Sequence, residues 1–212
     1  MQEVNKKYVE AKEKLANLFK NRKHSENLNK RLPPGQYLTE KFPVLDLGIK
    51  PEFDKTKWRL RVYGLVEKEL SFTYDEILKM PTTNLTEDLH CVTSWSKFDV
   101  KWKGVSFKDF IKIVKPKANW KFLIQEGMDG YTTNVSREDL EKDNVIIAYE
   151  LEGKPILQEH GWPMRMIIPQ LYAWKGSKFL KGLKFVEKDE PGFWEVRGYN
   201  NHGDIWKEER YS

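Results

Sequence analysis

Cys91 is the only cysteine in a chain of 212 residues. It stands in the stretch Thr86-Glu-Asp-Leu-His-Cys91-Val-Thr-Ser-Trp95-Ser-Lys-Phe-Asp-Val-Lys-Trp102. A lone cysteine has no internal disulfide partner, which leaves packing, nucleophilic attack or metal ligation. Packing is the plain reading, because free cysteines are among the most buried residue types. A reactive thiol needs thiolate character and electropositive surroundings. Residues 89–93 read as the end of a short strand, with β-branched residues and a period-2 face. His90 and Cys91 then point to opposite faces. That alternation argues against a His90–Cys91 nucleophile pair and against a zinc site built on the two, and no CxxC or HxxxH spacing occurs elsewhere. A single soft thiolate suits a softer metal whose other ligands arrive with a cofactor.

A second set of chemistry-bearing residues lies in His160-Gly-Trp-Pro-Met-Arg165, Pro169 and Tyr172-Ala-Trp-Lys175-Gly-Ser-Lys178. Arginine offers a planar fork, serine a hydroxyl and lysine a point charge, and Gly176 lets backbone N–H groups approach closely. Together they are the makings of an anion cradle. The alternative is that Arg165 pairs with a surface carboxylate and the lysines are solvated. Lys41-Phe-Pro-Val-Leu-Asp-Leu-Gly48 is an extended segment, because Pro43 pushes Phe42 toward β or polyproline conformation.

His-Cys-Val-Thr-x-Trp-Ser, followed by Trp102-Lys-Gly104-Val105, resembles the cofactor loop of the sulfite-oxidase family of molybdopterin enzymes. The resemblance makes Cys91 a molybdenum ligand beside the dithiolene of a single pterin without nucleotide. It implies pterin contacts from Phe42, Pro43 and Val44 and from His160 and Arg165, with Asp129 a looser match. Gly176, Ser177 and Lys178 would grip the phosphate end. Near the C-terminus, Gly192-Phe-Trp-Glu-Val-Arg-Gly-Tyr199-Asn-Asn-His-Gly-Asp-Ile-Trp206 continues the likeness through Tyr211 and puts Tyr199 at the family's active-site tyrosine. There are two departures. Where sulfite oxidases carry a substrate-binding arginine this chain has Thr39, with Lys41 nearby. After the tyrosine it has Asn200, with His202 two further on, as weaker candidates for the substrate face.

The elements that must position these residues are short. Val4, Tyr8, Ala11, Leu15 and Leu18 recur at helical spacing, which predicts an amphipathic helix over about 3–22. Leu32-Pro-Pro-Gly35 is a turn. Strands are expected over 58–66, 120–125, 145–149, 165–169 and 179–187. Thr73-Tyr-Asp-Glu76 is a capping box for a helix through Leu78. Ser106 and Ser136 cap further helical turns, and residues 126–131 form a turn. Neither GxGxxG nor a P-loop is present, so a nucleotide-binding doubly wound sheet is disfavoured. The expected fold is α+β with mixed sheets, sharpened by the resemblance to the molybdopterin-binding domain of sulfite oxidases. Residues 1–31 would form an N-terminal helix and linker, and 32–212 the domain.

Composition narrows the function. With 37 basic and 32 acidic residues the net charge is +5, and the charges are mixed along the chain rather than gathered in the basic stripe of a nucleic-acid reader. No apolar run approaches the ~20 residues of a membrane span, and no export signal is visible, so the expectation is a cytoplasmic protein. The reading is a molybdenum oxidoreductase moving an oxygen atom to or from a small substrate, sulfur compounds included. A separate partner would carry the electrons, since no haem module is seen. The rival is a basic, aromatic-rich single-stranded nucleic-acid binder, with rings stacking bases and lysines tracking phosphates.

Overall fold

The computed structural model describes residues 7, 9–11, 14 and 30–211. Two mixed sheets carry the chain, and the α-helices among the described residues are short, as an α+β fold requires. The first sheet is six-stranded: β1 (Tyr37–Leu38), β5 (Trp95–Ser106), β8 (Ile146–Leu151) and β10 (Arg165–Ile167) lie in that order, with β4 (Thr83–His90) on β5 and β9 (Lys154–Pro155) on β8. The second is five-stranded, in the order β3 (Leu70–Phe72), β2 (Leu60–Gly64), β11 (Leu180–Val186), β6 (Phe122–Gly127) and β7 (Thr132–Ser136). β1 runs parallel to β5 and β2 parallel to β11; the remaining pairings are antiparallel.

Three capped helices fall where their serine and threonine caps predict. Thr73 and Glu76 form a reciprocal capping box at α1 (Tyr74–Leu78). Ser106 accepts from the Asp109 N–H to open α2 (Phe107–Val114), which buries Phe107, Phe110 and Val114 on one face. Ser136 does the same through Asp139 for α3 (Arg137–Leu140). One core gathers Leu60, Val62, Phe107, Phe110, Leu123, Leu183 and Phe185 around the second sheet and the helices. A separate core joins Cys91, Trp95, Trp102, Ile167, Tyr172, Trp174 and Tyr199.

The long β4–β5 hairpin, which holds the cysteine at its bend, is absent from the sequence reading. Its alternation is interrupted: the register shifts between Glu87 and Leu89, and Asp99 has φ +55°. The expected strand through Thr93 is also corrected. β4 ends at His90, and the next four residues are a turn. The N-terminal helix predicted over about 3–22 falls largely outside the described residues. Of those described, residues 7, 9–11 and 14 are helical. Val9 is buried there, while Ala11, expected on the apolar face, is exposed.

Candidate active site

The bend of the β4–β5 hairpin is a three-residue loop, Val92, Thr93 and Ser94. The Cys91 N–H donates to the Trp95 carbonyl at 2.9 Å, and the Cys91 carbonyl accepts from the Ser94 N–H at 3.0 Å. Ser94 closes the loop at φ +72°, the left-handed residue that such three-residue hairpins require. Gln36, just before β1, donates its amide to the Cys91 carbonyl at 3.1 Å and accepts from the Ser96 hydroxyl at 3.2 Å. The His90 ring bonds that same hydroxyl at 2.8 Å, so His90 is engaged with Ser96 and not with the thiol. Cys91 Sγ lies 3.2 Å from Thr93 Oγ1. Burial pushes the thiol up from its ordinary value.

The thiol faces a cleft of about 890 Å³, its mouth included. Two cations line the same cleft, Arg165 buried and Lys178 half-buried. Arg165, at the start of β10, is 3% exposed. Its Nη1 donates to the His160 carbonyl at 3.0 Å, and its guanidinium lies 5.6 Å from the Trp102 ring centre. Its Nε has no hydrogen-bond partner among the described residues. Burial pulls Arg165 down to about 10. Lys178 reaches the same cleft because the Ala173–Lys175 turn runs hard against β10. A Cβ on Gly176 would sit 2.3 Å from the Met166 carbonyl oxygen, so only glycine allows that approach. Lys178 Nζ donates to the Leu45 and Glu159 carbonyls at 2.8 Å each, which leaves a third N–H. Burial, then the neighbouring Arg165, brings its amine down to about 7. Asp129 also lines the cleft; burial lifts its carboxyl to about 6, and its Oδ1 accepts from the Tyr131 N–H.

Aromatic rings form the walls. Phe42 stacks on His160 at 4.4 Å and meets Trp95 edge-on at 6.0 Å. Tyr199 stacks on Trp194 at 4.9 Å and meets Trp174 edge-on at 5.1 Å. Of the residues singled out from the sequence, Cys91, Phe42, Pro43, Asp129, Arg165, Gly176, Lys178 and Tyr199 line one cleft. Val44 does not. His160 sits behind Phe42, and the fully buried Ser177 turns its hydroxyl to the Lys178 carbonyl. Asn200 and His202 do not line it either: Asn200 accepts from the His202 and Gly203 N–H groups, and His202 lies between Asp139 and Glu209. Thr39 and Lys41 are likewise outside the cleft.

Sequence reasoning missed Leu45, Asp46, Thr93, Tyr131 and Trp194 in the lining. It also placed Lys175 in the anion cradle. Lys175 instead turns into the protein and donates to Glu195 Oε1 at 2.6 Å, Asn134 Oδ1 at 2.9 Å and the Asn201 carbonyl at 2.8 Å. Glu195 also accepts from Trp174 Nε1 and the Thr133 hydroxyl. No local pattern marks this pair, because Glu195 lies 20 residues further along the chain.

A soft thiol, two cations and ring walls in one cleft suit a flat anionic ligand carrying a thiophilic metal. Comparison with known proteins agrees. The family described as the oxidoreductase molybdopterin binding domain matches residues 47–194. The oxidoreductase YuiH of Bacillus subtilis is 38% identical over 183 residues, covering 86% of this chain and 92% of that protein. YedZ1 of Azospira oryzae, named as a putative protein-methionine-sulfoxide reductase subunit, is 29% identical over 72% of this chain and 58% of its own. The catalytic subunit MsrP of Ralstonia nicotianae, named as a protein-methionine-sulfoxide reductase, is 26% identical over 69% of this chain and 49% of its own. The chain thus spans only about half the length of these last two. Among solved structures, the sulfane dehydrogenase SoxCD from Paracoccus pantotrophus matches with a TM-score of 0.60 and 24% identity, over 66% of this chain and 40% of that one, a likeness of fold.

Proposed function

We propose a reaction from the premise that this chain belongs to the sulfite-oxidase family of molybdopterin oxidoreductases: two-electron transfer of an oxygen atom to or from a small neutral substrate, with electrons exchanged with a separate partner. Membership makes the chain an enzyme that binds molybdopterin. When bound, that cofactor supplies the molybdenum redox chemistry. The chain's residues supply the rest.

Cys91 Sγ is the metal ligand in this reading. Its proton must leave on ligation, and the raised thiol makes that loss conditional on the metal. Arg165 and the remaining N–H of Lys178 hold the cofactor's anionic end, with Phe42 and His160 as a stacked wall beside it. Asp129 is the acceptor for the pterin's N–H groups. Tyr199 donates a hydrogen bond, and where the reaction needs it a proton, at the substrate face. Trp95, Trp174 and Trp194 keep that face dry.

The observation that carries the reading is a buried guanidinium without a carboxylate partner among the described residues, in the same cleft as the chain's single thiol. A buried charge in that position is costly unless an anion meets it. The neutral character of the substrate rests on the lining. Among the described residues the basic side chains there are Arg165 and Lys178, both assigned to the cofactor, which leaves no other of them for an oxyanion such as sulfite. The two relatives named for methionine-sulfoxide reduction support the same direction.

Steady-state assays on the loaded enzyme test this proposal, with sulfite as the oxyanion substrate that gains an oxygen atom and gives up two electrons, and a dialkyl sulfoxide as the neutral substrate that loses an oxygen atom and takes up two. The sulfoxide should be turned over with the higher kcat/KM. Sulfite turnover at about 10 per second or more, a rate typical of good enzymes, would contradict it. The nucleic-acid reading loses its basis: Trp58, Trp95, Trp102, Trp120 and Trp174 are buried in the protein rather than displayed for stacking.

A further inference from the structure

We infer that the Thr93 hydroxyl is a positioning residue for the metal centre, donating a hydrogen bond to the Cys91 sulfur and thereby setting the electron-donating power of that ligand. The inference rests on Cys91 being the molybdenum ligand. Thr93 lies in the loop that Ser94 closes, two residues after Cys91, and the loop brings its Oγ1 to 3.2 Å from Cys91 Sγ. Thr93 is buried and lines the cleft on the same side as the thiol. Among the described residues its hydroxyl has this sulfur as its hydrogen-bond partner.

In the free thiol either atom can carry the shared proton. A metal-bound thiolate has none, so the hydroxyl must then be the donor. Hydrogen bonds to a ligating sulfur draw electron density away from the metal and raise its reduction potential, as in copper and iron–sulfur sites. The loop is held firmly enough for the contact to persist. Cys91 is bonded through both its N–H and its carbonyl, and the carbonyl accepts from Ser94 and from Gln36. A merely structural threonine would be replaced without spectral consequence by valine, which has nearly the same shape.

The experiment compares the molybdenum-loaded parent with Thr93→Val and Thr93→Ser. Three quantities are read: the sulfur-to-molybdenum charge-transfer absorption, the molybdenum reduction potential, and the metal–sulfur vibration in H2O and D2O. Thr93→Val should move the absorption to lower energy and lower the potential, while Thr93→Ser keeps both at the parent values. The vibration should shift in D2O in the parent and in Thr93→Ser. Parent-like absorption and potential in loaded Thr93→Val overturn the inference. The Thr93 backbone N–H also bonds the sulfur and survives every substitution here, so the isotope shift alone does not decide. If Thr93→Val fails to load, Thr93→Ala takes its place, and parent-like absorption and potential in that variant overturn the inference. Absence of any cysteine charge-transfer band in the loaded parent, unchanged in Cys91→Ser, is a different result: it removes the Cys91 assignment itself and the inference with it.

Discussion

A guanidinium and an ammonium in one cleft repel each other and lose their hydration, so each needs an anion to justify its burial. Arg165 lines the cleft and donates one hydrogen bond among the described residues, to the His160 carbonyl, so Arg165→Ala should lower cofactor occupancy. Truncating one partner of such a buried charge pair costs about 2–5 kcal/mol. Arg165→Lys should also lose occupancy, because a point charge does not replace the planar fork. Molybdenum and pterin per chain after identical expression is the measurement, and full occupancy in both variants would remove Arg165 from the cradle. Lys178 makes a pH prediction. Its folded value of about 7 lies below the ordinary lysine value of 10.5. Between those values the folded, cofactor-free chain binds fewer protons there than the unfolded chain, so Lys178 makes stability rise with pH across that window. The groups acting on it are Arg165, Asp46, Asp129 and Cys91. The difference in Tm between the cofactor-free parent and Lys178→Met should grow in the parent's favour from pH 7 to 10, and parallel curves would count against the lowered Lys178 value. That Cys91, Arg165 and Tyr199 meet in one cleft was legible from motif. Lys175 was not, since its burial depends on a partner from a distant segment.

Elements, rather than single residues, decide which side chains meet. The capped helices were readable, because Thr73, Ser106 and Ser136 announce their ends through local hydrogen bonds that any chain would make. The β4–β5 hairpin was not, because its bulges break the period-2 pattern and its register is set across the sheet. The Glu195–Arg197 turn follows Trp194 and leads to Tyr199, both of which line the cleft. It is anchored by the buried Lys175–Glu195 pair, and Glu195 also bonds the Trp174 indole that forms the adjoining wall. Glu195→Ala would leave Lys175 buried and uncompensated, a loss of about 3–5 kcal/mol. Replacing both together, Lys175→Met with Glu195→Leu, should restore much of it. Thermal unfolding of the three proteins checks this. Equal Tm for the parent and Glu195→Ala would mean that the pair contributes little to holding the wall.

Across the whole molecule, the charges and the rings are sorted in a way that composition could not forecast. Five of the eight tryptophans are buried in the protein, whereas the ion pairs of lysines such as Lys55, Lys57 and Lys112 are solvent-exposed, where such pairs contribute little. Among the described residues no helix is long and apolar enough to cross a membrane. The two mixed sheets converge on one cleft: β4 and β5 present the thiol, β10 the guanidinium, and the segment before β11 the ammonium. The family membership and the cleft lead to one central claim, that Cys91 binds the molybdenum of the pterin cofactor there. The most direct test is molybdenum-edge X-ray absorption on the loaded parent and on Cys91→Ser, both purified from cells that make the cofactor. The parent should show one more sulfur around the metal than the variant does, and an equal number of sulfur neighbours in the two loaded proteins would contradict the claim.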